Sequence, residues 1–190
     1  MAKKQKPLIV KVQNFINKRW NFRFNEVLGR IEFSFKEADE NEYRLMTEYD
    51  FNSILKLLAE NSLIYSARGL KQLLESKFVP RFNPFHSYLN GLEPWDGETD
   101  YISQLASTVR PTNAELWPIA FQKWLVAMVG SLLNDMVINH TMLVFTGDQG
   151  LVKTTWMNRL IPKDLDSYHF TGAINPINKD SQIQLAEHLL

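Results

Sequence analysis

One stretch constrains this chain more than any other: Thr141-Met-Leu-Val-Phe-Thr-Gly-Asp-Gln-Gly-Leu-Val-Lys-Thr-Thr-Trp-Met157. Met142 to Phe145 is a short apolar run with a β-branched and an aromatic residue, which reads as a buried strand. Gly147 to Lys153 is a glycine loop. A helix is expected from about Thr154 through Trp156, Met157 and Leu160, until Pro162 stops it. Strand, glycine loop and helix start in this order form the layout of a phosphate-binding loop. In such a loop the backbone N–H groups and the helix N-terminus cradle a polyphosphate. The candidate nucleotide-binding residues are Gly147, Asp148, Gln149, Gly150, Leu151, Val152, Lys153, Thr154 and Thr155. Lys153 would reach the β- and γ-phosphates, and the Thr154 hydroxyl would take the magnesium ion.

The pattern G-x-x-x-x-G-K-[ST] is met except before the lysine, where Val152 replaces glycine. A Cβ at that position is expected to intrude on the phosphate space, and a branched one more so. The competing reading is an ordinary strand-to-helix turn with two glycines and a chance Lys-Thr.

At 190 residues the chain has room for one domain or two small ones, and an apolar content of 45% supplies a core. The absence of cysteine excludes disulfides and thiolate metal sites and fits a reducing compartment. No run of residues reads as a membrane span or a signal peptide, so a soluble cytoplasmic protein with no membrane partner is expected. The net charge of zero is unevenly spread. Residues 1–36 carry nine Lys/Arg and two Asp/Glu, net +7; residues 37–190 carry twelve and nineteen, net −7. Such asymmetry points to a polyanion partner for the basic end or, more blandly, to a lysine-rich lead that aids solubility.

Along the chain, residues 1–18 form a basic lead whose segment Leu8 to Ile16 suits a helix. Alternation then predicts a β-hairpin. Trp20, Phe22, Phe24, Ile31, Phe33 and Phe35 share an apolar face, read as core rather than as a base-stacking platform. The other face is mostly basic, and Arg19, Arg23 and Arg30 on it are the exposed candidates for phosphate contact. Glu37 to Glu42 is an acidic turn. Thr47 and Ser66 are helix caps, the first for Phe51, Ile54, Leu55 and Leu58, the second for Leu70, Leu73 and Leu74. Phe78 to Phe85 is a rigid connector, with Asn83-Pro84 as N-cap and first helical position. The main boundary is placed within residues 91–111, which include a short helix from Asp100. Thr112-x-x-Glu115 is a capping box for a helix to about Asn134, apolar on most sides and so expected to be buried, with Pro118 forcing a kink or a later start. His140 is a polar strand-end residue. After the loop, Asp164 to Phe170 is a turn with a short strand, Ala173 to Asp180 a loop and Ser181 to His188 a helix.

Several of these stretches together resemble the virulence-associated protein E family of P-loop ATPases, found in phages and integrated mobile elements and similar to superfamily 3 replicative helicases. The likeness lies in Phe78-Val-Pro-Arg-Phe-Asn-Pro-Phe85, Leu92-Glu-Pro-Trp-Asp-Gly97, Asp100-Tyr-Ile and Leu105-Ala106, Trp124-Leu-Val-Ala-Met128, Val137-Ile-Asn-His140 and the Thr141–Trp156 stretch. The hairpin around Asn21-Phe-Arg-Phe-Asn25 and Gly29-Arg-Ile-Glu-Phe33 resembles the region upstream of that ATPase domain. The resemblance implies ATP and magnesium as ligands and an oligomeric ring in the intact family. It also exposes two departures. The family loop reads Gly-x-Gly-Lys-Thr-Thr-Trp where this chain has Gly150-Leu-Val-Lys-Thr-Thr-Trp156. The acid-ending Walker B strand, the sensor residue and an arginine finger are not found before Leu190.

The fold expected is therefore an α+β N-terminal region, hairpin plus helices, over residues 19–110, followed over 111–190 by the beginning of an α/β P-loop NTPase domain, incomplete. A parallel strand needs neighbours on both edges, so the part from about residue 112 on is expected to be less stable than the first. No residue is put forward as catalytic. The leading function is part of an ATP-dependent DNA replication protein of helicase or primase–helicase type, inactive alone. The alternatives are a non-catalytic module for single-stranded or forked DNA, or an inert remnant with a structural turn where the loop was.

Overall fold

The structure, a computed structural model, describes residues 6–37, 42–134, 136–171, 177 and 179. It is a mixed α+β chain in two compact units, Met1–Asn83 and Pro84–Leu190. They part just ahead of the 91–111 region that the composition singles out. The segments read from sequence as loop (Ala173 to Asp180) and helix (Ser181 to His188), and most of the acidic turn, lie outside the described residues.

The first unit contains helix α1 (Leu8–Asn17), strands β1 (Trp20–Asn25), β2 (Arg30–Phe35) and β3 (Arg44–Leu45), helices α2 (Glu48–Glu60) and α3 (Ala67–Leu74), and strand β4 (Arg81–Phe82). The sheet order is β3-β2-β1-β4. The hairpin has the register that the alternation predicts, with Trp20 opposite Phe35, Phe22 opposite Phe33 and Phe24 opposite Ile31. Val12, Ile16, Trp20, Phe22, Phe33, Ile54, Leu58, Leu70, Leu73, Leu74 and Val79 form one buried cluster. Phe78 to Phe85 holds a strand the sequence does not announce. Arg81 and Phe82 pair parallel to Phe24 and Asn25, and the Phe24 N–H donates to the Pro80 carbonyl at 2.8 Å.

The helix ends follow local chemistry. Thr47 accepts from the Asp50 backbone N–H while the Asp50 side chain accepts from the Thr47 N–H, a reciprocal box that satisfies two otherwise orphaned donors of α2. Ser66 caps α3 through the Gly69 N–H at 3.0 Å. Asp50 also accepts two hydrogen bonds from the Arg44 guanidinium, at 2.8 and 2.6 Å. That fork, with the Thr47 bonds, holds its carboxyl far below the usual carboxylate range. Because the native state binds this proton less tightly than the unfolded chain does, the contribution is complete above about pH 4 and fades as the pH drops below it. Asp50→Asn is therefore expected to cost about 1–2 kcal/mol near neutral pH. The gap between variant and parent should shrink on going to about pH 2, as read from urea midpoints. A gap that does not change with pH would show that the ion pair contributes nothing.

The polar face of the hairpin differs from expectation. It is not an open basic surface: Asn25, Glu32 and Ser34 are buried. Glu32 accepts from Arg23 Nε at 2.5 Å and from Asn25 Nδ2 at 2.8 Å, and the Arg23 guanidinium lies over the rings of Tyr43 and Phe82. Asn25 Oδ1 in turn accepts from the N–H groups of Val27 and Leu28 and fixes the hairpin turn. A buried carboxylate is tolerated here because each of its oxygens has a donor.

The second unit contains α4 (Pro84–Gly91), α5 (Tyr101–Ser107), α6 (Leu116–Leu133), α7 (Lys153–Asn158) and a 3-10 helix, Lys163–Tyr168, where a turn and short strand are expected from sequence. Pro84 opens α4, and Asp100 caps α5 by accepting from the Ser103 N–H at 2.9 Å. α6 departs from its expected form in two ways. The Thr112–Glu115 capping box is not made; the helix starts late, at Leu116, with Asn113 Oδ1 accepting from the Leu116 N–H. Pro118 thus falls in the first turn, where its missing N–H costs nothing. Nor is α6 buried all round: Phe121 is its one fully enclosed side chain, whereas Leu116, Ile119, Val126 and Leu133 are exposed. Among the described residues its own unit contains no sheet for it to pack on. At 18 residues with a mean hydropathy of 1.4, it is long and apolar enough to cross a membrane by length and composition alone, a test that the core helix of a soluble protein also passes. Pro118, Gln122 and Lys123 hide that in the linear sequence.

Candidate phosphate loop and basic face

Residues 141–146 lead into the loop without regular secondary structure, so the expected buried strand is not formed. They have no ladder partner, and burial alternates: Leu143 and Phe145 are half-buried, Met142 and Val144 exposed. Phe145 rests on Trp117 and Trp156, with ring centroids 5.5 and 5.3 Å away. A strand can be buried on both faces only between neighbours, and none is present among the described residues.

An aromatic cluster positions the loop. Trp117, Phe121, Trp124, Phe145 and Trp156 form a chain of ring contacts with centroids 5.1–6.3 Å apart. Two of the indoles have polar partners: Trp117 Nε1–H donates to the Ala106 carbonyl and Trp156 Nε1–H to the Thr108 hydroxyl, both at 2.8 Å. Since Trp156 belongs to α7, these bonds tie the helix behind the loop to the end of α5. On α4, His86 donates from Nε2 to the Leu132 carbonyl at 3.0 Å, satisfying one of the last carbonyls of α6.

In the loop Gly147 has φ 137° and Gly150 φ 90°. Val152 stands immediately before α7 with φ 48° and ψ 26°, in the left-handed region. The backbone therefore takes a path that suits glycine at the position where the resemblance implies glycine, and a β-branched residue is strained there. Lys153 turns back over the loop: Nζ donates to the carbonyls of Gly147 at 2.9 Å and Asp148 at 2.7 Å. Its ammonium is thus held inside the curve of residues 147–153. Leu151 and Val152 are exposed. Thr154 lies on the first turn of α7 and borders a mostly apolar cavity of about 350 Å³ between α4, α6 and α7, which Asn158 and His169 also line.

The Trp95-Asp96 turn is a self-bonded loop. Asp96 accepts from the N–H groups of Glu98 and Thr99 and from the Thr99 hydroxyl, and Trp95 Nε1–H donates to the Thr99 carbonyl. These bonds lower the Asp96 carboxyl to about 2.

The three arginines proposed for phosphate contact have different fates. Arg23 is committed to Glu32. Arg19 donates to the Phe15 carbonyl at 3.3 Å and lies over the Phe15 ring. Arg30 is exposed at the turn end of the hairpin. The ion pairs of the first unit join Arg23, Arg44, Lys56, Lys71 and Arg81 to carboxylates. Among the described residues, Lys6, Lys11, Lys18, Arg19, Arg30 and Lys36 have no such partner. Apart from Arg23, then, the described cations of the basic end have no carboxylate partner among the described residues, and the same holds for Arg68 and Lys77 later in the unit.

Fold and loop together define a mixed α+β protein. Residues 89–190, more than half of the chain, match the model of the virulence-associated protein E-like domain. The chain belongs to that family, which points to a protein of a phage or mobile element. No curated protein and no solved structure matches it.

Proposed function

We propose that this family member is a P-loop ATPase of DNA replication, of helicase or primase–helicase type, and that residues 147–155 are its phosphate loop. One juxtaposition carries the reading: two glycines and a left-handed residue bend the backbone around the Lys153 ammonium, directly ahead of α7. A polyphosphate requires backbone N–H donors and a cation; the loop holds the cation, Lys153, on two of its own carbonyls. The carbonyls now holding Lys153 would be exchanged for β- and γ-phosphate oxygens, and Thr154 would take the magnesium ion, which when bound neutralises phosphate charge. The chain by itself would bind magnesium–ATP weakly, because Lys153 must give up two hydrogen bonds and Val152 holds a strained backbone. Turnover would need an acid and a neighbouring subunit's arginine in a ring, so none is expected from the chain alone.

Calorimetry with magnesium–ATP on the chain and on Lys153→Ala tests this. Weak binding by the parent and no measurable heat from the variant is expected. Equal affinities would place any nucleotide elsewhere. A second reading, binding of single-stranded or forked DNA by the first unit, is favoured by the unpaired cations of residues 6–36.

A further inference from the structure

We propose that the end of the first unit's sheet, where Phe35, Lys36, Arg19 and Lys18 meet, is a stacking site for single-stranded nucleic acid. The inference rests on the nucleic-acid reading of the basic end and gives that reading a location away from Arg23. Trp20, Phe22 and Phe33 are buried and Phe24 is half-buried, but the fifth ring on the same face, Phe35, is 49% exposed. It is not loose. Its edge packs on Phe33 at a centroid distance of 5.5 Å, and Phe33 stacks on Phe22 at 6.2 Å, so a row of rings runs out of the core and ends in one open ring.

The cations occupy the next backbone positions, one step from Phe35 and Trp20 and so on the opposite side of the ladder at the same sheet end. Phe35 is the register partner of Trp20. One position further, the Lys36 N–H donates to the Arg19 carbonyl at 3.0 Å, which puts Lys36 and Arg19 side by side at the strand ends, with Lys18 closing α1 next to them. Lys18 and Lys36 are exposed, and none of the three has a carboxylate partner among the described residues, although Glu37 follows in sequence. Arg19 is fixed by the Phe15 ring and carbonyl, so its charge is oriented but not neutralised. An open aromatic ring at a strand end, with cations at the adjoining backbone positions that have no carboxylate partner among the described residues, suits a base with its neighbouring phosphates. A base in a duplex already has both faces covered, so a single strand is the partner that fits.

The test is fluorescence anisotropy of the full chain, without nucleotide, across a salt series. The probes are labelled oligothymidylate of about 15 nucleotides, oligouridylate of equal length and a duplex. Phe35→Ala should weaken oligothymidylate binding about tenfold, and Phe35→Trp should preserve it. Phe35→Leu keeps the apolar bulk that screens Phe33, so the fold should survive, as circular dichroism would report, while binding falls as in the alanine variant. Lys18→Ala and Lys36→Ala should each lower the log–log salt slope by about 0.7. Oligouridylate should bind within a few fold of oligothymidylate, since stacking ignores the sugar. Duplex binding as tight as single-strand binding, or a folded Phe35→Leu variant that binds like the parent, overturns the site. If binding stays salt-sensitive but is indifferent to Phe35, Lys18 and Lys36, this corner is wrong and only the wider basic reading survives. No binding by the parent removes both.

Discussion

Glu32→Ala is expected to lower the stability of the first unit by about 3–5 kcal/mol, as a buried ion pair does when one partner is deleted. Glu32 is the hub of the covered polar face. Its loss leaves the Arg23 guanidinium between the Tyr43 and Phe82 rings without the Glu32 carboxylate, and removes the hydrogen bond from Asn25 Nδ2 to Glu32 on a wholly buried residue. The double variant Glu32→Ala with Arg23→Ala should recover part of the loss, because the uncompensated charge goes with it. Chemical denaturation of the parent, both single variants and the double variant measures the coupling. If the Glu32 variant loses less than about 1 kcal/mol, the network is solvated and its burial has no energetic meaning.

Val152→Gly should have the opposite sign. A valine at φ 48° carries about 1–2 kcal/mol of backbone strain that glycine does not. If the phosphate-bound loop keeps this backbone, removing the strain stabilises the native chain in the bound and free states alike, and affinity changes little. If the bound loop needs further left-handed or extended excursions at this residue, or the space its side chain occupies, glycine raises magnesium–ATP affinity by about tenfold, one pKa-sized unit of free energy. We expect the second, since Val152 immediately precedes the lysine that must move. Adding Lys153→Ala should abolish the gain by removing the cation. Calorimetry gives the affinity and thermal unfolding gives the strain. Equal ATP affinity of parent and glycine variant would remove the side chain from any account of the loop.

What the sequence made legible was local. Thr47, Ser66, Asp100 and Pro84 open helices where a side-chain oxygen or a fixed φ is needed, and these choices depend on three or four neighbouring residues. The hairpin register follows from a period of two. The loop's positive-φ positions follow from Gly147 and Gly150, and Val152 joins them because the turn into α7 imposes the same backbone on whatever residue stands there. What required the fold was pairing at a distance. Nothing in Arg81-Phe82 signals a strand, because two residues have no period and their partner is in β1. The basic face could not be seen to be covered without knowing that Phe82 and Tyr43 reach Arg23. The exposure of Phe35 depends on where the sheet stops, which alternation does not encode. The apolar run at Met142–Phe145 and the apolar surround of α6 led to an expectation of burial that the exposures overturn, because partners decide whether apolar surface is covered. Trp156, the residue tying α7 to α5, gave no sign in sequence beyond its family context.

The parallel pairing of β4 with β1 has a consequence for synthesis. Phe24 and Arg81 are register partners with all of β2, β3, α2 and α3 between them. Contacts so far apart in sequence are closed late and at an entropic cost. On a ribosome, the hairpin and α2 can form as they emerge, but Phe82 arrives only when almost the whole unit is outside. Until then Arg23 has no ring from β4 over it, and the β1 edge offers its backbone to any passing strand. A growing chain stalled between residues 60 and 80 should therefore be the form most prone to association and to capture by chaperones, and release past residue 83 should end that window.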